Sequence, residues 1–186
     1  NLDLAVDPLE GTKICAKGGQ NALSVIAVAE EGCLLEAPDC YMEKIAVGRD
    51  AAGVIDLDAP IVDNLKAVAS KKKCSVADLS VAVLDRLRHE KLICDIRDAG
   101  ARIWLIGDGD VQAALSTTIS DSGIDMLVGI GGAPEGVIAA AALKCVGGDF
   151  QGRLNFTDSS QRERAIKMGI KDPDKRWTRD DIARGP

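Results

Sequence analysis

The chain is poor in aromatic residues: two tryptophans, two phenylalanines and one tyrosine make up 3% of its 186 positions. A core built from this sequence has to rest on Val, Ile, Leu and Ala, the usual filling of α/β proteins with buried strands. The same scarcity removes the stacked rings that commonly hold single-stranded nucleic acids. A net charge of -6 removes the basic surface that nonspecific nucleic-acid binding needs. There is one histidine, His89, and no C-x-x-C pair among the six cysteines, which excludes a zinc finger. Buried free thiols in a reducing compartment are the expectation; Cys33 and Cys40 are the one pair a hairpin would bring together. No apolar run is long enough to cross a membrane, the longest being the alanine-rich Val137 to Leu143. No signal peptide is visible, and a cytoplasmic location is expected. The G-x-x-x-x-G-K-[ST] loop of nucleoside triphosphatases is missing. Gly129-Ile130-Gly131-Gly132 falls short of a full G-x-G-x-x-G, which leaves a dinucleotide-binding module a distant reading. His89 has no G-x-S-x-G elbow to serve and reads as a surface residue at a helix start.

What is present is a long strand–helix alternation. Pro60 to Lys72 reads as an amphipathic helix, with Ile61, Leu65 and Val68 on one face and proline near its start. Strands are expected at Ser80–Leu84, Arg102–Ile106 and Met126–Ile130, and helices at His89–Ala99, Val111–Thr117 and Ala133–Val146. Such alternation implies right-handed crossovers and a mostly parallel sheet with flanking helices, with ligands at the carboxyl ends of its strands. Those ends carry Asp85-Arg86, Asp108-Gly109-Asp110 and Gly131 to Glu135. Before residue 50 the pattern differs. Leu23 to Ala29, a turn at Glu30-Glu31-Gly32 and a return over Cys33 to Glu36 read as a hairpin, and Tyr41 to Val47 as a third strand of an antiparallel meander. The fold class expected is α/β with an α+β first part, divided into units 1–50 and 51–186. Gln161 to Met168 reads as a helix, and the end from Thr178 as frayed.

The stretch richest in chemistry opens the chain. Leu4-Ala5-Val6 leads into Asp7, Pro8 keeps Asp7 extended, and the chain then turns so that Glu10 follows three residues on, with Gly11 and Thr12 behind it. Two carboxylates at one turn suit a hard cation, and a glycine with free amides suits a phosphate. An acidic strand-to-turn junction accounts for the same letters equally well.

Asp7-Pro8-Leu9-Glu10-Gly11-Thr12 resembles the metal-binding signature of the lithium-sensitive phosphatases. The resemblance continues, in collinear order, through Asn21-Ala22-Leu23, Ala37-Pro38-Asp39-Cys40-Tyr41-Met42-Glu43-Lys44, Val83-Leu84-Asp85-Arg86, Arg88-His89-Glu90, Asp108-Gly109-Asp110, Gly131-Gly132-Ala133-Pro134-Glu135-Gly136 and Gln151-Gly152-Arg153-Leu154. Together these segments are similar to the class II fructose-1,6-bisphosphatases, whose cyanobacterial members also act on sedoheptulose 1,7-bisphosphate. The resemblance implies a layered αβαβα sugar-phosphatase fold, magnesium or manganese held by Asp7, Glu10 and Glu135 with help from the Leu9 carbonyl, and catalysis through Asp7, Glu10 and Thr12. It further implies reacting-phosphate contacts from Glu10, Gly11 and Thr12, and sugar-phosphate contacts from Tyr41, Arg86 and Arg88. Asp108 and Asp110 would meet sugar hydroxyls, and Gly132 would touch substrate. A proline often stands in the family where this chain has Leu87. The implied setting is gluconeogenesis or the Calvin cycle, in a homotetramer. Relatives carry further segments on both sides, so this stretch is expected to be a middle portion, short of some metal ligands and slow in turnover by itself. The rival reading is a non-catalytic piece that keeps only the sugar-phosphate half-site.

Overall fold

The computed structural model describes residues 1–185. It holds two sheets. The first pairs β1 (Leu2–Glu10) with β2 (Leu23–Glu30) antiparallel, Leu4 opposite Val28 and Val6 opposite Ile26. Strict alternation puts Leu2, Leu4, Val6, Ile26 and Val28 on its exposed face, while Ala5 on the other face packs against the core. Asp7 is extended as expected, but the turn expected between Pro8 and Glu10 is not made. Proline cannot donate to a ladder, but it is tolerated at an edge bulge, and the register of β1 slips between Asp7 and Glu10 instead. Asp7 Oδ1 accepts from the Leu9 amide across that bulge. The chain turns only at Gly11, at a φ of 81°, before the short helix α1 (Thr12–Ala16).

The second sheet has six strands: β3 (Tyr41–Val47), β4 (Ser80–Leu84), β5 (Arg102–Ile106), β6 (Met126–Gly132), β7 (Asp149–Asn155) and β8 (Trp177–Thr178). Their spatial order is β5-β4-β6-β3-β7-β8. β4 runs parallel to β5 and β6, but β3 is antiparallel to both β6 and β7, and β8 to β7. The sheet is therefore mixed, not mostly parallel. β3 is not the third strand of an N-terminal meander; both its neighbours come from beyond residue 50. Cys33 to Glu36 does not return along β2 either. Leu34 bridges to Ala183 instead, and the Leu35 amide donates to the Ile182 carbonyl at 2.8 Å.

Alternation along the strands feeds two cores, one per face. Ile45, Val47, Val81, Val83, Met126 and Val128 meet α2 (Ile61–Lys72) and α3 (Glu90–Asp98) on one side. Met42, Ala46, Ala82, Leu127 and Phe150 meet α4 (Asp110–Ser116) and α5 (Ala133–Val146) on the other. The two-stranded sheet lies against α5. β7 had no counterpart among the expected strands. The expected helix at Gln161–Met168 is α6 (Ser159–Lys167), capped by the Asp158 side chain. The end expected to fray forms α7 (Arg179–Ile182), and Ile182 is fully buried. The cysteines are free, as expected, but only Cys40 is buried. No helix among the described residues is long and apolar enough to cross a membrane.

Candidate active site

The parallel trio β4, β5 and β6 aims its carboxyl ends one way, and polar turns follow each strand. β3 runs oppositely, so its first residue, Tyr41, pairs with Gly132 at the last position of β6. This antiparallel placement carries Tyr41 to the same edge as the strand ends. The bulge in β1 brings the other sheet's Glu10 to the start of α4, where the Val111 amide donates to Glu10 Oε1. One cavity of about 490 Å³ results. All eleven of the expected site residues line it: Asp7, Glu10, Gly11, Thr12, Tyr41, Arg86, Arg88, Asp108, Asp110, Gly132 and Glu135. Leu9, Lys13, Leu84, Gly109 and Gly131 complete the wall.

The arginines are held by backbone. Arg86 donates to the carbonyls of Asp85 and Gly107, both at 2.8 Å. Arg88 donates through Nε and Nη2 to the Ile130 carbonyl, at 3.1 and 2.7 Å, and its guanidinium lies 4.9 Å above the Tyr41 ring. Asp108 accepts from the Lys13 amide at 3.2 Å, which ties the β5 turn to α1.

Two residues of this region stand in the matching segments but were assigned no part in the site. Lys44 is fully buried; its Nζ meets Asp110 Oδ2 at 2.7 Å and the Gly132 carbonyl at 2.9 Å. The signal was there, since Lys44 falls in phase with Met42 and Ala46 on an inward strand face, where a charge needs a partner. Gly131 makes the approach feasible, because a Cβ there would collide with the Asp110 carboxylate and press on Nζ. The second is His89, expected at the surface but buried, with both ring nitrogens bonded to backbone.

Glu10 carries strain of an electrostatic kind. Burial pushes the Glu10 carboxyl up to about 7, and the nearby Asp110, Asp108 and Asp7 carboxylates add to the rise. Glu10 Oε2 and Glu135 Oε2 are buried without a hydrogen-bond partner; Glu135 folds back over Gly132 in the first turn of α5. Buried, unpartnered carboxylate oxygens in a shared cavity fit a hard divalent cation. The closure expected of a ligand set is not reached, however: among the described residues no three acidic, histidine or cysteine side chains gather tightly enough to hold a metal ion. Asp7, Glu10 and Glu135 face one cavity without converging on one point.

The family model described as bacterial fructose-1,6-bisphosphatase, glpX-encoded, matches residues 1–186. The chain belongs to this bacterial fructose-1,6-bisphosphatase family. Among its relatives are two proteins named D-fructose 1,6-bisphosphatase class 2/sedoheptulose 1,7-bisphosphatase, from Synechococcus sp. strains JA-3-3Ab and JA-2-3B'a(2-13). They are 46% and 47% identical over 99% of this chain. A protein of the same name from Synechocystis sp. is 44% identical over 99% of it. The chain spans 56%, 56% and 57% of the lengths of these three relatives.

Proposed function

We propose that the chain forms the sugar-phosphate site, and part of the metal centre, of a phosphatase that releases the 1-phosphate of fructose 1,6-bisphosphate and sedoheptulose 1,7-bisphosphate. The supporting observation is convergence. Eleven residues from separate segments, carried by the strands of two sheets and by the turns and helices that follow them, line one polar cavity that carries both guanidinium groups and unpartnered carboxylates. Pinned guanidinium planes suit bidentate phosphate binding, so Arg86, Arg88 and Tyr41 take the phosphate that does not react. Asp108 and Asp110 accept from sugar hydroxyls, and Lys44 holds the Asp110 carboxylate in place. Gly11 and Thr12 offer a close backbone and a hydroxyl to the reacting phosphate. Asp7, Glu10 and Glu135 would hold magnesium or manganese, which supplies neutralisation of phosphate charge and an activated water. A homotetramer and a cytoplasmic setting belong to the same proposal; the boundary at residue 50 does not, since β3 lies before it and pairs only with strands after it.

A second reading, binding without turnover, is favoured by one observation: the three carboxylates do not close round a single point. Phosphate release from fructose 1,6-bisphosphate, measured with and without magnesium or manganese on a chain extended by the flanking segments its relatives carry, separates the two. Under the first reading release needs the metal and is lost in Glu10→Gln, which keeps the shape but not the charge. Saturable binding with no release at any metal concentration establishes the second. Metal-independent release that survives Glu10→Gln overturns the assignment of the metal centre.

A further inference from the structure

His89 sits behind the cavity wall, fully buried, and does not line the cavity. Its Nδ1 lies 2.7 Å from the Leu84 carbonyl at the end of β4, and its Nε2 lies 2.8 Å from the Ile130 amide in β6. A carbonyl only accepts and an amide only donates, which fixes the tautomer: Nδ1 carries the proton and Nε2 the lone pair. The imidazole thus bolts the turn after β4 onto β6. Gly129 leaves the room for it, since a Cβ at that position would press on His89 Nε2 at 3.0 Å.

The same residue, Ile130, faces both ways. Its amide is taken by His89, and its carbonyl takes the fork of Arg88 Nε and Nη2. Arg88 in turn caps the Tyr41 ring from the neighbouring strand. The fork leaves Nη1 and part of Nη2 for a ligand. Where those donors point depends on the carbonyl that holds the fork, and the backbone around that carbonyl is anchored from behind by His89.

We propose that His89 is the positioning residue of the Arg88–Tyr41 pair, fixing the Ile130 backbone that seats the guanidinium and so setting the grip on the non-reacting phosphate. This rests on the sugar-phosphate reading above, with Arg88 at the far phosphate. It assigns His89 no contact with substrate and no proton transfer. An anchored backbone keeps the guanidinium in place before the ligand arrives, so binding carries less ordering cost.

Two near-isosteres divide the imidazole's bonds. In His89→Asn the side chain reaches the Leu84 carbonyl but falls short of Ile130. In His89→Gln the amide oxygen reaches the Nε2 position and accepts from Ile130. Each loses one buried hydrogen bond, so a purely structural role weakens both alike. Binding of fructose 6-phosphate and of fructose 1-phosphate to the whole chain is measured by calorimetry. Loss of the anchor is expected to weaken fructose 6-phosphate about tenfold in His89→Asn and less than about threefold in His89→Gln, the size of one net hydrogen bond. Fructose 1-phosphate should change little in either. A ligand-free measurement runs beside it: hydrogen exchange of the Arg88 Nε–H, followed by NMR, should accelerate in His89→Asn and stay slow in His89→Gln. Equal effects of the two substitutions, or an Arg88 Nε–H that stays protected in His89→Asn, overturn the role of His89. A wild-type chain that binds neither sugar phosphate overturns the functional reading instead, and the Arg88 signal still decides His89.

Discussion

Two charged residues show how much a single side chain depends on its surroundings here. Lys44 and Asp110 form a buried pair at 2.7 Å, with the Gly132 carbonyl as the third member. Removing one partner of such a pair strands the other charge in a low-dielectric interior, at a cost of about 3–5 kcal/mol. Lys44→Met should lose that much in urea denaturation, and Lys44→Met with Asp110→Asn should recover a large part of it; additive losses would show the pair to be uncoupled. Glu10 behaves in the opposite sense, since among the described residues it has no cationic partner. Its carboxyl holds a proton up to about pH 7 in the fold, against 4.5 in an open chain. Between those values the native state binds more protons than the unfolded state, so its contribution to stability is full below 4.5 and is lost as pH rises through about 7. A divalent cation that binds the ionised form should oppose that loss. Magnesium is expected to raise Tm at about pH 8.5 more than at about pH 5, and Glu10→Gln should remove the difference. An equal effect at both pH values would place the ion elsewhere.

At the scale of elements, local signals were read correctly wherever one segment decides its own state. Ser80–Leu84, Arg102–Ile106 and Ala133–Val146 form over the ranges their periodicity gives. Pairing across long separations was not legible. The turn at Glu30 to Gly32 is made, with Gly32 at a φ of 78°, yet the residues after it pair with the end of the chain. Nothing local says that β2 will pair with β1 and not with the segment after its own turn. β7 was missed for a different reason: Phe150, Gly152 and Leu154 occupy its inward positions, and a glycine in the middle of an apolar alternation hides it. That glycine stands against Met42, whose Sδ would lie 2.5 Å from a Cβ there. The chain end, expected to fray, offers the clearest test. Ile182 is fully buried, and its carbonyl receives the Leu35 amide. Ile182→Ala should cost about 2–5 kcal/mol by calorimetry or denaturant, as for a core isoleucine. A loss under about 0.5 kcal/mol, the surface range, would mean the end is not docked in solution.

Across the whole molecule, the site belongs to no single element. Its candidate residues were legible because each stands in a short motif that the family resemblance covers, and those carried by the six-stranded sheet fall at strand ends that converge. What could not be read was the support behind them. Lys44 and His89 reach partners 41 to 88 positions away in sequence; the phase of Lys44 along β3 says that it needs a partner, but no local pattern says which. Ile130 and Gly132 lie on β6, between the arginines and Glu135, so the cavity divides into two groups of residues on different supports. Arg86 and Arg88 hang on the turns and backbone of β4, β5 and β6. Glu10 and Asp7 come from the bulge of the two-stranded sheet, and Glu135 from the first turn of α5. If the arginines hold the non-reacting phosphate and the carboxylates a cation, each ligand should quiet its own support. Fructose 6-phosphate is expected to slow amide exchange most at residues 86–89 and 130–131. Magnesium alone is expected to slow it most at 9–13 and 133–136. Local opening sets exchange in such segments, and a ligand that binds only the closed form suppresses it. The two together should protect both regions, and each should raise the other's affinity if Asp108 and Lys13, hydrogen-bonded across the cavity, carry order between them. Magnesium protection confined to residues 86–89 would exchange the two assignments, and protection by neither ligand at either place would show that this cavity is not where they bind.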